Sequence, residues 1–138
     1  SANGLMSVED KIETKKLLNI TFHKQLNHLE LNQLLQKVQL HVFPSRSEGF
    51  PKVLLETACA GVTSLIYSDY GASEWMTHEK DGFIVETLDE MEKIIRELQY
   101  DSTILTNASA NAIQLGESFD WKVKIKDWEK VIINLSNL

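Results

Sequence analysis

The chain is poor in the residues that define several whole classes of protein. Across 138 residues there is one cysteine, Cys59. No internal disulfide can form, and a single thiol fits a reducing compartment, so the cytoplasm is the expected location. Positive charge is not in excess: 14 Lys and Arg against 20 Asp and Glu leave a net charge of −6. That is the wrong sign for a nucleic-acid footprint. No apolar run approaches the ~18–20 residues of a membrane span, and no signal-peptide pattern is visible. The four histidines, His23, His28, His41 and His78, are too scattered to gather a metal. There are no internal repeats and no low-complexity linker. What remains is an ordinary globular composition, 43% hydrophobic and 25% charged, in a length that suits one domain.

Both prolines, Pro44 and Pro51, flank one short stretch, and the chain is organised around it. Leu40 to Phe43 is apolar and β-leaning, and Pro44 stops its pairing. Ser45 to Gly49 is small and polar, a tight loop. Pro51 suits the first position of a helix running to about Ala60, because its missing N–H costs nothing there. The amides around Gly49 to Lys52 are then the free donors of a helix start, which favour an anion. Glu48 stays in the loop, whereas Glu56 lies roughly 7.5 Å up the helix at about 1.5 Å per residue. Carboxylates are acceptor-only and strong, so they suit sugar hydroxyls and repel a naked phosphate. A diphosphate on the amides, with an acid on each side of it, suits a nucleotide-sugar.

The rest of the chain alternates strands with helices. Ser1–Met6 reads as a remnant added for expression, or at Asn3-Gly4 as the end of a loop whose preceding strand is absent. Ser7 caps a helix to about Leu18, Asn19–His23 is a short strand, and Leu29–Lys37 has a helical apolar stripe. After the central helix, stopped by Gly61, Thr63–Tyr67 reads as a strand buried on both faces. Asp69–Ser73 turns into a short helix near Glu74–Thr77, and Asp81-Gly82 turns into a strand at Phe83–Glu86. Thr87 with Glu90 caps a helix, another runs from about Ser102 to Leu115, and Asp120 caps the last. This pattern predicts an α/β fold with a mainly parallel, Rossmann-like sheet carrying helices on both faces.

The run Pro44-Ser45-Arg46-Ser47-Glu48-Gly49-Phe50-Pro51-x-Val53-Leu54-Leu55-Glu56 resembles the donor-binding motif of family-4 retaining glycosyltransferases of GT-B fold. The likeness continues through Cys59-Ala60-Gly61, Ser68-Asp69-Tyr70-Gly71-Ala72-Ser73-Glu74, Asp81-Gly82-Phe83-Ile84-Val85 and Phe119-Asp120-Trp121. It implies that residues 7–138 form a nucleotide-sugar (donor) binding domain, truncated on its N-terminal side. Two early strands of that domain carry an Arg and a Lys that clamp the donor diphosphate, and neither has a counterpart here. The N-terminal, acceptor-binding lobe has none either. In the family's strand order the absent pair lies between Asn19–His23 and Leu40–Phe43. The expectation is therefore that the four remaining strands close up, or that another chain fills the gap.

The resemblance assigns Glu56 to the ribose hydroxyls and places Glu48 near the donor sugar. It brings the backbone of Gly49, Phe50 and Pro51 towards the sugar and diphosphate, although turn chemistry alone explains those residues too. Ser45 and Ser47 hydrogen-bond the nucleotide or cap the loop. Lys52 adds a charge near phosphate or is simply solvated. Gly71 approaches the nucleotide or serves its turn. Arg46 is read as a structural ion pair, and Cys59 as a small buried residue facing the sheet. Trp121 and Trp128 are read as core or lobe-contact residues, and Lys122, Lys126 and Lys130 as a solvated face.

The implied function is transfer of a sugar from a UDP- or GDP-linked donor to a hydroxyl acceptor, with retention, in polysaccharide or glycolipid assembly. No metal and no further cofactor is expected, in keeping with the absence of an Asp-x-Asp motif. The acceptor would be held by the missing lobe, at or near the inner face of the membrane, and the chain alone would be inactive. Exposed lobe-contact surface would favour self-association. The second reading is a non-catalytic nucleotide-sugar-binding or scaffolding domain that pairs with another lobe. A third is an unrelated doubly wound binding domain whose acid pair is accidental.

Overall fold

The computed structural model describes residues 20–136, which fall into two units divided between Leu31 and Asn32. Ser1–Met6 and the helix expected from Ser7 to Leu18 lie outside the described residues. In the first unit, Ile20 to Lys24 is exposed and irregular. This corrects the strand expected at Asn19–His23, of which Asn19 is not described. An extended segment holds its shape by a ladder with a neighbour, and no strand pairs with Ile20–His23 among the described residues. Asn27 then caps helix α1 (His28–Leu35): its side chain accepts from the Glu30 amide at 3.0 Å, and Glu30 accepts from the Asn27 amide at 2.8 Å.

The second unit is built on β1 (Leu40–Phe43), β2 (Thr63–Tyr67) and β3 (Phe83–Val85). They pair in parallel in the order β1-β2-β3. The α/β class holds, with three strands in the sheet among the described residues instead of four. Every residue of β2 is buried, because β2 is central and both its faces are covered. Leu65, Tyr67, Phe83 and Val85 pack on Met91 and Leu98 of α3 (Leu88–Tyr100) and on Ala108 of α4 (Ser102–Ser118). Ile66 and Ile84, on the other face, pack with Leu54 of α2 (Lys52–Cys59), Met76 and Leu115. The three layers follow from the period-two alternation of β2 and β3.

Local chemistry sets the element ends. The α2 helix stops in a Schellman turn: Gly61, at φ +72°, donates to Ala58 O, and Val62 donates to Thr57 O, each at 2.9 Å. Thr87 and Glu90 form the expected capping box of α3. Asp120 Oδ1 accepts from the Lys122 amide at 2.7 Å, at the start of α5 (Trp121–Ser136). The α2 and α4 helices approach so closely at Gly116 that an added Cβ would lie 2.7 Å from Cys59 Sγ and 2.9 Å from its backbone nitrogen.

A buried relay of hydroxyls ties α2 to the sheet. Thr57 Oγ1 donates to Leu54 O at 3.0 Å, which spends its one proton. Ser64 Oγ, also 3.0 Å from Thr57 Oγ1, must then donate to it, and so accepts from His41 Nδ1 at 3.0 Å. Burial holds the His41 imidazole below its ordinary pKa of 6.5.

Two outcomes are expected. Gly116→Ala should destabilise the chain by about 1–3 kcal/mol in urea unfolding, since backbone cannot yield as a flexible side chain would; an unchanged midpoint would mean the helices separate freely. Folding favours neutral His41, so its contribution is complete above pH 6.5 and is lost as pH falls through that value towards the lower folded-state pKa. The wild-type chain should therefore lose more stability than His41→Asn between about pH 7.5 and 5. Equal losses would remove His41 from the account.

Candidate functional site

All three strands present their carboxyl ends to one edge, the edge where open α/β sheets hold ligands. The connection leaving β1 there runs from Pro44 to Pro51. Ser45 Oγ donates to Glu48 Oε1 at 2.6 Å, with a longer contact of 3.3 Å to Ser47 O. Ser45 is thus a loop cap holding the Glu48 carboxylate. Glu48, Ser47 and Gly49 are exposed. A Cβ added at Gly49 would meet nothing within 4 Å, and its φ is not among the positive ones. Neither packing nor backbone strain demands a glycine at that position.

The α2 helix begins one residue later than the sequence suggests. Pro51 is its N-cap, at φ −77° and ψ 89°, and is buried; Lys52 is the first helical residue. Pro51 still accepts the first helical bond, from the Leu54 amide at 3.0 Å. No side chain caps this end, so the first amides of α2 keep their donor capacity. Lys52, exposed, and Glu56, half-buried, share one helix face at a spacing of four. No described residue hydrogen-bonds the Glu56 carboxylate.

Arg46 fastens this loop to its neighbours. Its guanidinium lies 3.0 Å from Asp69 Oδ2, after β2, and 3.3 Å from Glu86 O, after β3. It also stacks 3.8 Å from the centroid of the Tyr67 ring. Arg46 is therefore a structural ion pair, as expected, and it spans the ends of all three strands.

The loop after β2 turns at Gly71, whose φ of +71° accounts for the glycine by itself. The short helix follows at Ala72–Glu74. Tyr70 is a residue that sequence reasoning passed over. It packs edge-on to Phe43, ring centres 6.2 Å apart, and its hydroxyl is buried without a partner among the described residues. Desolvation, with the charges of Glu48 and Asp69, pushes the phenol up to about 12. The available signal was its place between Asp69 and Gly71 in the loop facing Glu48. Phe50, 49% exposed, joins Trp75 and Phe119 in a cluster with ring centres 5.7–6.1 Å apart.

One further reading is corrected and another narrowed. Cys59 does not face the sheet: it is exposed and lies against Gly116 of α4. The helix turns that position outwards while Leu54, Thr57 and Ala58 take the buried face. Of the two readings given for Trp121 and Trp128, exposures of 65% and 58% exclude the core and leave lobe contact. Among the described residues no group of three His, Cys, Asp or Glu side chains is placed to hold a metal ion. None of the described helices is long and apolar enough to cross a membrane. A cavity of about 680 Å³ opens at the opposite, amino end of the strands, beside Leu40, Gly61, Leu98, Leu105 and Ser109. It is remote from this loop edge.

The family model described as glycosyl transferases group 1 matches residues 3–115. An N,N'-diacetylbacillosaminyl-diphospho-undecaprenol α-1,3-N-acetylgalactosaminyltransferase of Campylobacter jejuni is 30% identical over 112 residues, covering 77% of this chain and 30% of that protein. An exopolysaccharide phosphotransferase of Streptomyces coelicolor is 30% identical over 103 residues, covering 72% and 11%. The chain thus spans less than a third of either relative. In fold, it superposes on sucrose-phosphate synthase of Thermosynechococcus elongatus with a TM-score of 0.80 at 19% identity, covering 94% of this chain and 34% of that one. Anabaena HepE in complex with UDP-glucose gives 0.69 at 22% identity, covering 94% and 36%. The C-terminal domain of the LpcC glycosyl transferase of Francisella tularensis gives 0.64 at 19%, covering 80% and 59%.

Removing the Arg46 tie tests its worth. Its ion pair is partly exposed and contributes little alone, while the stacked guanidinium adds about 0.5–1 kcal/mol or more. Arg46→Ala should lower stability by about 1–2 kcal/mol in thermal unfolding, and Asp69→Asn by less than half as much. Equal losses would make the ion pair the main contribution.

Proposed function

Because the chain belongs to the group 1 glycosyl transferases, we propose that it is the donor-binding part of an enzyme that moves a sugar from a nucleotide-sugar to a hydroxyl, with retention. The observation that carries this reading is the connection after β1. It puts Glu48 in an open loop, an uncapped helix start beside it, and Glu56 on the next turn of the same helix.

Each part has a role in the proposal. The donor diphosphate rests on the first amides of α2, where partial positive charge favours an anion, and Lys52 adds a cation nearby. Glu56 accepts hydrogen bonds from the ribose hydroxyls, and its carboxylate has no competing partner among the described residues. Glu48 orients the donor sugar and stabilises positive charge developing near its ring. Ser45 keeps that carboxylate in place at 2.6 Å. The open space at Gly49 supports close approach of ligand to the backbone of Gly49, Phe50 and Pro51. Ser47 and Gly71 border the nucleotide. In the front-face mechanism the departing diphosphate helps deprotonate the incoming hydroxyl, so electrostatic stabilisation of that leaving group is central.

The donor is UDP- or GDP-linked; Anabaena HepE, which shares the fold, binds UDP-glucose. The acceptor is a saccharide or lipid-linked hydroxyl bound by a separate lobe, in cytoplasm or at the inner membrane face, and the 138-residue chain alone does not turn over. The chemistry calls for no resident metal or cofactor.

A panel of nucleotide-sugars titrated by calorimetry, against this chain and against a form carrying an acceptor lobe, tests the assignment. Glu56→Gln should weaken nucleotide binding about tenfold to a hundredfold, the loss of a charged hydrogen bond of about 1.5–3 kcal/mol. Glu48→Gln should leave nucleotide affinity nearly intact and lower the transfer rate. Unchanged turnover in both variants would sink the proposal, and transfer by the 138-residue chain alone would overturn the need for a second lobe.

A further inference from the structure

The Tyr70 phenol has no task in the fold or in the roles proposed for the loop edge. Its half-buried ring packs with Leu54 of α2 and Ile66 of β2, and lies edge-on to Phe43 at the end of β1. Asp69, the residue before it, is held at 3.0 Å by Arg46 of the Pro44–Pro51 connection. The ring is thus fixed at the root of that connection. Its hydroxyl, however, is buried with no partner among the described residues. Such groups are rare, because they have lost water without replacing it. Desolvation, with the charges of Glu48 and Asp69, holds the phenol up at about 12. At neutral pH it therefore keeps its proton and needs an acceptor.

Two carboxylates lie close enough for the phenol to feel their charge, Glu48 more than Asp69. Asp69 is already engaged by the Arg46 guanidinium. Glu48 accepts from Ser45 on Oε1 at 2.6 Å, and its Oε2 has no partner among the described residues. A donor without an acceptor thus stands near an acceptor with capacity to spare. We infer that Tyr70 is a positioning residue for Glu48: its hydroxyl donates to Oε2 once the exposed Glu48 side chain turns inwards about its bond to Ser45. The carboxylate is then gripped by two donors, one from its own loop and one from the loop after β2. Each carboxylate oxygen has room for a further hydrogen bond, so the grip still leaves Glu48 able to take sugar hydroxyls. The use of this grip rests on the proposed function, since there Glu48 orients the donor sugar, but the contact itself needs no nucleotide.

NMR of the 138-residue chain, with tyrosine labelled at the ring carbon that bears the hydroxyl, tests the contact. Tyr70→Phe keeps the ring and its packing, and it assigns the Tyr70 resonance among those of Tyr67, Tyr70 and Tyr100. Glu48→Gln should move that resonance, because a charged acceptor is lost, while Tyr100, 92% exposed, stays put. Calorimetry on the same chain tests the use. Tyr70→Phe should weaken UDP-glucose about threefold to tenfold, leave UDP unchanged, and add nothing where Glu48→Gln is already present. A Tyr70 resonance indifferent to Glu48→Gln overturns the inference, and so does one that answers more strongly to Asp69→Asn. Equal weakening of UDP and UDP-glucose by Tyr70→Phe also overturns it, since the phenol would then be merely structural. A resonance that answers to Glu48→Gln while UDP-glucose goes unbound upholds the contact and counts against the proposed function.

Discussion

Parallel pairing is the constraint from which the rest of this molecule follows. The strands β1, β2 and β3 run the same way, so each must return its chain across a face of the sheet before the next can pair. The returns from β1 and β2 lay α2 and the Ala72–Met76 segment on one face, and the chain that follows β3 lays α3 with part of α4 on the other. The central strand is thereby sealed on both sides, which is why Thr63–Tyr67 carries no outward-facing position. The same geometry gathers three loops at one edge, and only there do Glu48, Tyr70 and the start of α2 become neighbours in the chemistry.

Sealing β2 has a chemical cost, because Thr63 and Ser64 bring hydroxyls into the interior. Ser64 is served by His41 on one side and Thr57 on the other. Thr63 Oγ1 is buried without a partner among the described residues, the kind of group that costs about 1–3 kcal/mol. The relay through Ser64 therefore does more than fill space: it fixes how α2 sits on β1 and β2, and with it the height of Glu56 above the loop.

Much of this was legible in the chain because local and global signals agree. Thr63–Tyr67 is apolar or β-branched at every position but Ser64 and became the central strand; Thr87 with Glu90 wrote its capping box openly; Gly61 marked a left-handed stop. The Pro44–Glu56 pattern located the loop and helix to within one residue, the slip at Pro51 being the ordinary uncertainty of helix ends. What could not be read depended on partners remote in sequence. Ile20–His23 has strand composition but no described neighbour to pair with. Cys59 is apolar enough for the core, yet the phase of α2 gives the core to Thr57 and Ala58. Arg46 was legible as an ion pair, but not its three-way reach, since Asp69 and Glu86 lie 23 and 40 residues away.

That reach has a consequence for ligand capture. A free eight-residue connection would sample many shapes and would have to surrender that freedom at the moment of binding. Here one guanidinium already joins it to the tips of the other two strands, and Ser45 locks its acid. The entropy is surrendered during folding instead, so under the proposed function the loop would meet a donor preorganised, and its rigidity is set by a side chain that need not touch the donor at all.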